Sequence, residues 1–244
     1  MQSELNSHLE KIHEYQKTDF RWCNLRKIVT RSIVGKKILD AGCGTGHLTL
    51  DLLSADYDVT SIDYSDELVD FARKTISDAQ YPANVFSCDL MSVKDHNLPL
   101  FDTIVCLDVI EHIEKEEIVL KNLYDLLKTD GILILSVPAI KQIYGQRDKK
   151  VGHYRRYDKK ELIRKIEDAG FILSQIRYWN FIGVIPVILF EKILHKPVDE
   201  KVRYSRTSLY SKILHPVLNG WFSLVENNIP SPVGLTLIAV CRKK

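Results

Sequence analysis

An α/β fold, with a mostly parallel sheet covered by helices on both faces, is what this sequence predicts, and three observations carry the prediction. Short apolar runs alternate with amphipathic stretches from Lys37 to Val137, the pattern of strands joined by crossover helices. The first run is followed by the turn Gly42-Cys43-Gly44-Thr45-Gly46. Glycine tolerates positive φ and lets a ligand touch bare backbone. Several runs end in an aspartate, at Asp63, Asp89 and Asp108, and in open parallel sheets ligands gather at the carboxyl ends of strands.

The elements follow in order. At 244 residues the chain fits one α/β domain with an elaboration. Leu5, Leu9 and Ile12, then Leu25, Ile28, Val29 and Ile33, recur at helical spacing, so residues 1–35 read as an N-terminal helical segment. The main domain spans 36–244. Its first strands are Lys37–Ala41, Asp58–Asp63, Asn84–Asp89, Phe101–Asp108 and Gly131–Val137. Helices are expected over His47–Leu53, Asp66–Ile76 and Glu116–Leu127. A basic loop, 139–157, then leads to a helix at Asp158–Ala169, which Gly170 stops. Strands at Phe171–Tyr178 and Leu235–Arg242 flank a helical insertion, 179–230.

Composition narrows the class. Lys+Arg 34 against Asp+Glu 32 gives a net charge of +2, too balanced to argue for a nucleic-acid partner. The five cysteines are scattered without a C-x-x-C pair, which predicts a reduced, cytoplasmic protein. Met1–Lys17 is polar and reads as no secretory signal.

The aspartates suggest roles by position. A carboxylate at Asp63 can accept both hydroxyls of a ribose, one at Asp89 can accept an adenine amino group, and Asp108 faces the expected reaction centre. The glycine order is Asp-x-Gly-x-Gly-x-Gly from Asp40, which departs from the dinucleotide fingerprint: counted from Gly44, its third glycine would fall at Thr49.

Residues 36–138 resemble the core of class I S-adenosylmethionine (SAM) methyltransferases. The resemblance is carried by Ile38–Gly46, by Ser61-Ile62-Asp63-Tyr64-Ser65, by Ser87-Cys88-Asp89-Leu90 and by the fourth-strand stretch Asp102–His112. The Glu-His ending of the last is similar to ubiquinone-pathway O-methyltransferases. The resemblance implies a Rossmann-like sheet of seven strands with an antiparallel last strand. It implies SAM as cofactor, S-adenosylhomocysteine as product, and cofactor contacts from Asp40, Gly42, Cys43, Gly44, Gly46, Asp63, Tyr64, Asp89, Leu90 and Leu107. Base N-methylation is disfavoured, because the Asp/Asn-Pro-Pro-aromatic place holds Asp108-Val109-Ile110-Glu111.

The segment Gly152-His153-Tyr154-Arg155-Arg156-Tyr157 is the candidate acceptor site. Residues 147–165 hold nine Lys or Arg and three Asp or Glu. Paired guanidiniums can fork onto a carboxylate or phosphate, and tyrosines can stack on a ring or sugar face. The plainer alternative is a solvated loop with Arg155 or Arg156 paired to Asp158. A similar Gly-His-x-Arg-Arg-Tyr segment occurs in methyltransferases linked to cell-surface glycan or lipid-linked sugar pathways. For a hydroxyl acceptor a general base is useful; His153 is the first candidate and His112 the second. No metal is expected at Asp108, Glu111 and His112, because no specific ligand spacing is met.

In the insertion, Trp179–Phe190 is too short to span a bilayer. Leu209, Ile213, Val217, Leu218, Trp221, Phe222 and Val225 fall near one helical face, and cations lie between the two stretches. The insertion reads as a helical subdomain packed on the sheet, with peripheral membrane contact through 179–225, a homodimer contact and an acceptor lid as alternatives. The chain is expected to O-methylate a small or lipid-linked acceptor bearing an anionic group. A protein or RNA methyltransferase, or a SAM-binding regulatory protein without turnover, is the alternative.

Overall fold

The computed structural model describes residue 17, residues 19–193 and residues 209–244. The expected repeat of Leu5, Leu9 and Ile12 lies outside the described residues. Helix α1 (Phe20–Ser32) is capped by Asp19, whose carboxylate accepts the Arg21 backbone N–H at 2.8 Å.

Seven strands form one sheet: β1 (Lys37–Ala41), β2 (Asp58–Asp63), β3 (Val85–Ser87), β4 (Phe101–Leu107), β5 (Leu127–Pro138), β6 (Ile172–Trp179) and β7 (Thr236–Arg242). Their order is β3-β2-β1-β4-β5-β7-β6. All pairings are parallel except those of β7, which is antiparallel to β5 and β6. The chain reverses direction across the sheet between β1 and β4, the place where such folds open a ligand crevice.

The period-two alternation of the strands divides the core. Ile104 and Cys106 of β4, with Leu133 and Leu135 of β5, pack against α4 (Glu116–Asp125) through Val119, Leu120 and Leu123. Val105, Leu107 and Ile134 face the other way, toward Leu25 and Val29 of α1 and toward Leu48 and Leu52 of α2 (His47–Ser54). Helix α3 (Asp66–Asp78) follows β2 and buries Val69, Ala72 and Ile76. N-terminal helix and sheet therefore share one apolar cluster.

Three boundaries differ from those expected. β3, at one edge of the sheet, is three residues long, pairing with β2 over Val85–Ser87 alone. β5 starts at Leu127 rather than Gly131, and its pairing with β4 shifts register between Phe101 and Thr103. The basic loop holds a 3₁₀ turn at Lys141–Ile143 and a short helix α5 (Gln146–Lys150) before α6 (Lys159–Asp168).

The insertion begins with α7 (Val184–Val187), which runs into a π-helical turn at Ile188–Ile193. It resumes with α8 (Leu209–Trp221), which contains Pro216 and continues as a π-helical turn at Phe222–Glu226. Polar groups dock it. Asn24 of α1 donates to Asn219 at 2.7 Å, and Glu226 accepts the backbone N–H groups of Phe181 and Ile182, both at 3.0 Å. Strands β1 to β6 all run the same way, so the insertion leaves the sheet at the edge where β1 and β4 end. Among the described residues no helix is long and apolar enough to cross a membrane. All five cysteines are free thiols.

Candidate active site

At the end of β1 the chain turns through Gly42, Gly44 and Gly46, with φ of 89°, 54° and 83°. A Cβ on Gly42 would come within 2.3 Å of the Val109 side chain, whereas one on Gly44 would meet nothing within 4 Å. The turn is thus closed beneath and open above, as a backbone cradle for a ligand requires. Gly42 and Cys43 both donate N–H to Ile62 O, at 2.8 and 3.0 Å, which pins the turn to β2.

Asp63 closes β2. One carboxylate oxygen accepts the Gly44 N–H at 2.9 Å and the other the Ser65 N–H at 3.1 Å. Each oxygen keeps a lone pair for a hydroxyl. Tyr64 beside it is 79% exposed. Asp89, beyond β3, accepts the Met91 N–H at 2.8 Å, while Leu90 and Leu107 are buried. Asp40 lies inside: it is 3% exposed and accepts from Thr49 Oγ1 at 2.7 Å. Burial pushes its carboxyl up to about 7, and the nearby charge of Asp63 adds to the rise. The glycines, Asp63 and Asp89 thus gather around the β1 turn. This donor set, an open cradle with a carboxylate at its side, fits a nucleoside carrying a short zwitterionic arm.

Across the crevice, β4 ends at Asp108, held at φ 53°. Its carboxylate accepts from Arg21 of α1 at 2.8 Å and from Ser136 of β5 at 2.7 Å. Burial would raise this carboxyl, but Arg21 and then Ser136 hold it below its ordinary value. Arg21 also lies over the Trp179 ring, 5.9 Å from its centroid. Arg21 therefore joins α1 to the ends of β4 and β6, a role the sequence reading missed because no local pattern marks it.

The two candidate histidines meet here. The rings of His112 and His153 stand edge to face with centroids 4.6 Å apart. Burial, and then His153, keep His112 below the usual histidine range. His153 Nδ1 lies 3.2 Å from Asp148 Oδ1. An ionised carboxylate only accepts, so His153 Nδ1 donates to Asp148 and carries a proton. Asp148 is in turn held by Arg156 Nε at 2.8 Å and by the Gly145 N–H at 2.9 Å. Burial would raise its carboxyl, but the hydrogen bonds from His153 and Arg156 keep it far below the ordinary range. Asp148 was absent from the sequence reading. Its one signal is that it is the single acid among residues 147–157.

Glu111 lies 3.9 Å from His153 Nε2. It is fully buried with neither carboxylate oxygen hydrogen-bonded, and burial raises it well above the usual carboxylate value. One ligand atom each from Glu111, His112 and His153 falls within 4.8 Å of the others. Asp108 is not part of that group.

The arginine pair differs from the expected open fork. Arg156 is buried on Asp148 and Ala139 O, and Arg155 pairs with Glu116 while donating to Glu114 O at 2.7 Å. Neither arginine takes Asp158 as partner. The cause is the loop's path: Tyr157 N–H bonds Pro138 O at 2.9 Å and Tyr154 N–H bonds Glu111 O at 2.8 Å, drawing the segment against β4 and β5. Tyr157 is buried, and Tyr154 is the exposed aromatic of the segment.

Comparison with known proteins fits this geometry. A ubiquinone biosynthesis O-methyltransferase of Coxiella burnetii is 31% identical over 105 residues, 43% of this chain and 44% of that protein. The chain thus matches less than half the length of that relative. A SAM-dependent methyltransferase of Thermotoga maritima, described as a possible histamine N-methyltransferase, superposes with a TM-score of 0.61 at 17% identity, covering 99% of this chain and 97% of that one. Magnesium protoporphyrin IX methyltransferase of Synechocystis with bound S-adenosylhomocysteine gives a TM-score of 0.55 at 17% identity, over 95% of this chain and 84% of the other. Residues 12–176 match the family described as methyltransferase domain. With two thirds of its length inside that match, on a seven-stranded sheet with a glycine turn at the switch point, the chain belongs to the class I SAM-dependent methyltransferase family.

Proposed function

We propose that this chain transfers a methyl group from SAM to a hydroxyl oxygen of a small or lipid-linked acceptor bearing an anionic group. The observation that carries this reading is the Asp148–His153 pair, in which the carboxylate takes Nδ1 at 3.2 Å and orients Nε2 toward the end of β4, beside Glu111 and His112. Similarity to an O-methyltransferase supports oxygen as the acceptor atom, and the exposed Lys149 and Lys150 support an anionic group.

The β1 turn, Asp63 and Asp89 would hold the cofactor, which when bound supplies a methyl group on a positively charged sulfur, already activated toward displacement. What remains for the chain is alignment and proton removal. His153 Nε2 takes the acceptor's hydroxyl proton as the new carbon–oxygen bond forms. Asp148 stabilises the resulting imidazolium, and Arg156 keeps Asp148 ionised and oriented. Arg21 holds Asp108 and so shapes the far wall.

Calorimetric titration with SAM and S-adenosylhomocysteine tests the cofactor half. Folded protein that binds neither would refute it. For the acceptor half, Asp148→Asn should lower kcat by roughly 10–100-fold while leaving SAM affinity intact, with Asp148→Glu restoring part of the loss. Equal kcat in Asp148→Asn would remove His153 from the chemistry. SAM binding without turnover on any acceptor would favour a regulatory protein, and a steep salt dependence of acceptor binding would favour RNA. The clustering of Glu111, His112 and His153 supports a second reading, a divalent cation held by two histidines and a carboxylate. Under it, a chelator would abolish activity and a divalent cation would restore it.

A further inference from the structure

Helix α8 is apolar on more than its docked side. Toward α1 it turns Leu218, with Phe222 of the following turn packed on Phe20, and polar groups beside them. His215 packs on the Phe20 ring, Asn219 bonds Asn24, and the following turn buries Glu226. The side it turns to solvent carries Ile213, Val217, Trp221 and Leu224, with Leu224 74% exposed. These positions recur at four, four and three residues, so they form one continuous apolar stripe. The first helical stretch of the insertion does the same, burying Val184 and Val187 while exposing Ile185, Ile188, Leu189 and Ile193. Two exposed apolar faces in one insertion mark a surface that something covers.

We infer that these faces rest on an anionic membrane surface. Charge selects this occupant. Residues 191–212, which join and flank the two faces, carry Lys192, Lys196, Lys201, Arg203, Arg206 and Lys212 against Glu191, Asp199 and Glu200. An apolar helical face bordered by Lys, Arg and Trp is the chemistry that seats at the boundary between anionic headgroups and acyl chains. Topology adds a functional sense. The insertion leaves the sheet after Trp179 and returns at Thr236, at the edge that carries the glycine turn, Asp108 and His153. A seated protein would hold its site toward the lipid from which an acceptor can enter. The inference stands on the exposed faces alone and survives failure of the proposed chemistry.

The test is co-sedimentation of the full chain with vesicles of mixed phosphatidylglycerol and phosphatidylcholine, against phosphatidylcholine alone. Binding to the anionic vesicles is expected, at least ~10-fold tighter than to neutral ones and weakened by salt. The triple variant Ile213→Ser, Val217→Ser, Leu224→Ser should lose at least ~10-fold in partition while keeping its melting temperature and SAM affinity. If that variant does not fold, Leu224→Ser alone should still weaken partition measurably. No binding to anionic vesicles would overturn the inference. So would equal binding to neutral ones, or a dimer that the triple variant dissolves in a protein that ignores vesicles.

Discussion

The crevice has two walls, and each is braced around a buried aspartate of opposite character. On the cofactor side Asp40 sits under the glycine turn with the Thr49 hydroxyl as its partner, and burial drives its carboxyl up to about 7. On the acceptor side Asp148 is buried too, but His153, Arg156 and a backbone N–H meet its charge and hold it down. Desolvation acts on both, and partners decide the sign. The cofactor wall is thus set mainly by backbone geometry, with glycines at positive φ and N–H groups on Asp63. The acceptor wall is set by side-chain pairs: Arg21 with Asp108 and Arg155 with Glu116 join segments far apart in the chain, and Arg156 with Asp148 closes the basic loop on itself.

The sharpest way to break this contrast is to remove one charge from the acceptor wall. Arg156→Ala leaves Asp148 buried beside Ala139 without its main cation, and the paired side chains are only 6% and 1% exposed. Breaking such a pair costs about 3–5 kcal/mol of stability, so equilibrium unfolding should show a loss of that order. A loss below about 1 kcal/mol would mean that the loop is not braced by this pair.

The cofactor wall answers to pH instead. A carboxyl whose folded pKa is raised stabilises the fold below its unfolded value, near 3.8, and that share is lost as pH rises through about 7. For cofactor-free protein, Asp40→Asn removes this dependence while an amide oxygen can still accept from Thr49. Relative to wild type, the variant should gain roughly 3–4 kcal/mol in unfolding free energy between pH 4 and pH 8. The sign for Asp148 is opposite: its depressed carboxyl contributes above the unfolded value and loses that contribution as pH falls. A constant difference between Asp40→Asn and wild type across that range would refute the assignment.

The same contrast explains what could be read from the sequence. β1 and β2 fall at the expected residues, because a buried parallel strand is a continuous apolar run and its end is marked by an aspartate and glycines. The positions of the glycine turn and of Asp63 were legible for that reason, since both follow from the strand ends. Arg21 and Asp148 were not. Arg21 lies 87 residues from Asp108 in the chain, and no periodicity links them. Arg155 and Arg156 read as an outward fork, since composition reports a local excess of charge but not which carboxylates come to meet it. Glu116 arrives through the packing of α4 against β5, and Asp148 through the turn of the basic loop that brings it to Arg156 and His153.

Asp63 tests the cofactor wall by affinity. Its two oxygens hold the glycine turn and the start of α3 while each keeps a lone pair for a hydroxyl. Asp63→Ala should weaken SAM binding by roughly 100-fold, about 2–3 kcal/mol, as expected when charge-assisted hydrogen bonds are lost. Calorimetry measures it directly, and unchanged affinity would move the cofactor away from β2.

The smallest effect expected belongs to Tyr154, and it completes the contrast inside the basic segment. Its neighbours Arg155, Arg156 and Tyr157 are tied into the fold, whereas Tyr154 is more than half exposed and its ring sits 5.6 Å from the Arg155 guanidinium. Its backbone N–H bonds Glu111 O, so the main chain is fixed while the ring is free to meet an acceptor. Replacing an exposed ring costs little stability, within about 0.5 kcal/mol. Tyr154→Ala should therefore leave the melting temperature and SAM affinity in place and raise the KM for the acceptor by a few-fold, with kcat nearly unchanged. That split is the mark of a group that binds ground and transition states alike. A fall in kcat with constant KM would instead place Tyr154 beside His153 in aligning the reacting oxygen, and a fall in SAM affinity would put the ring on the cofactor wall.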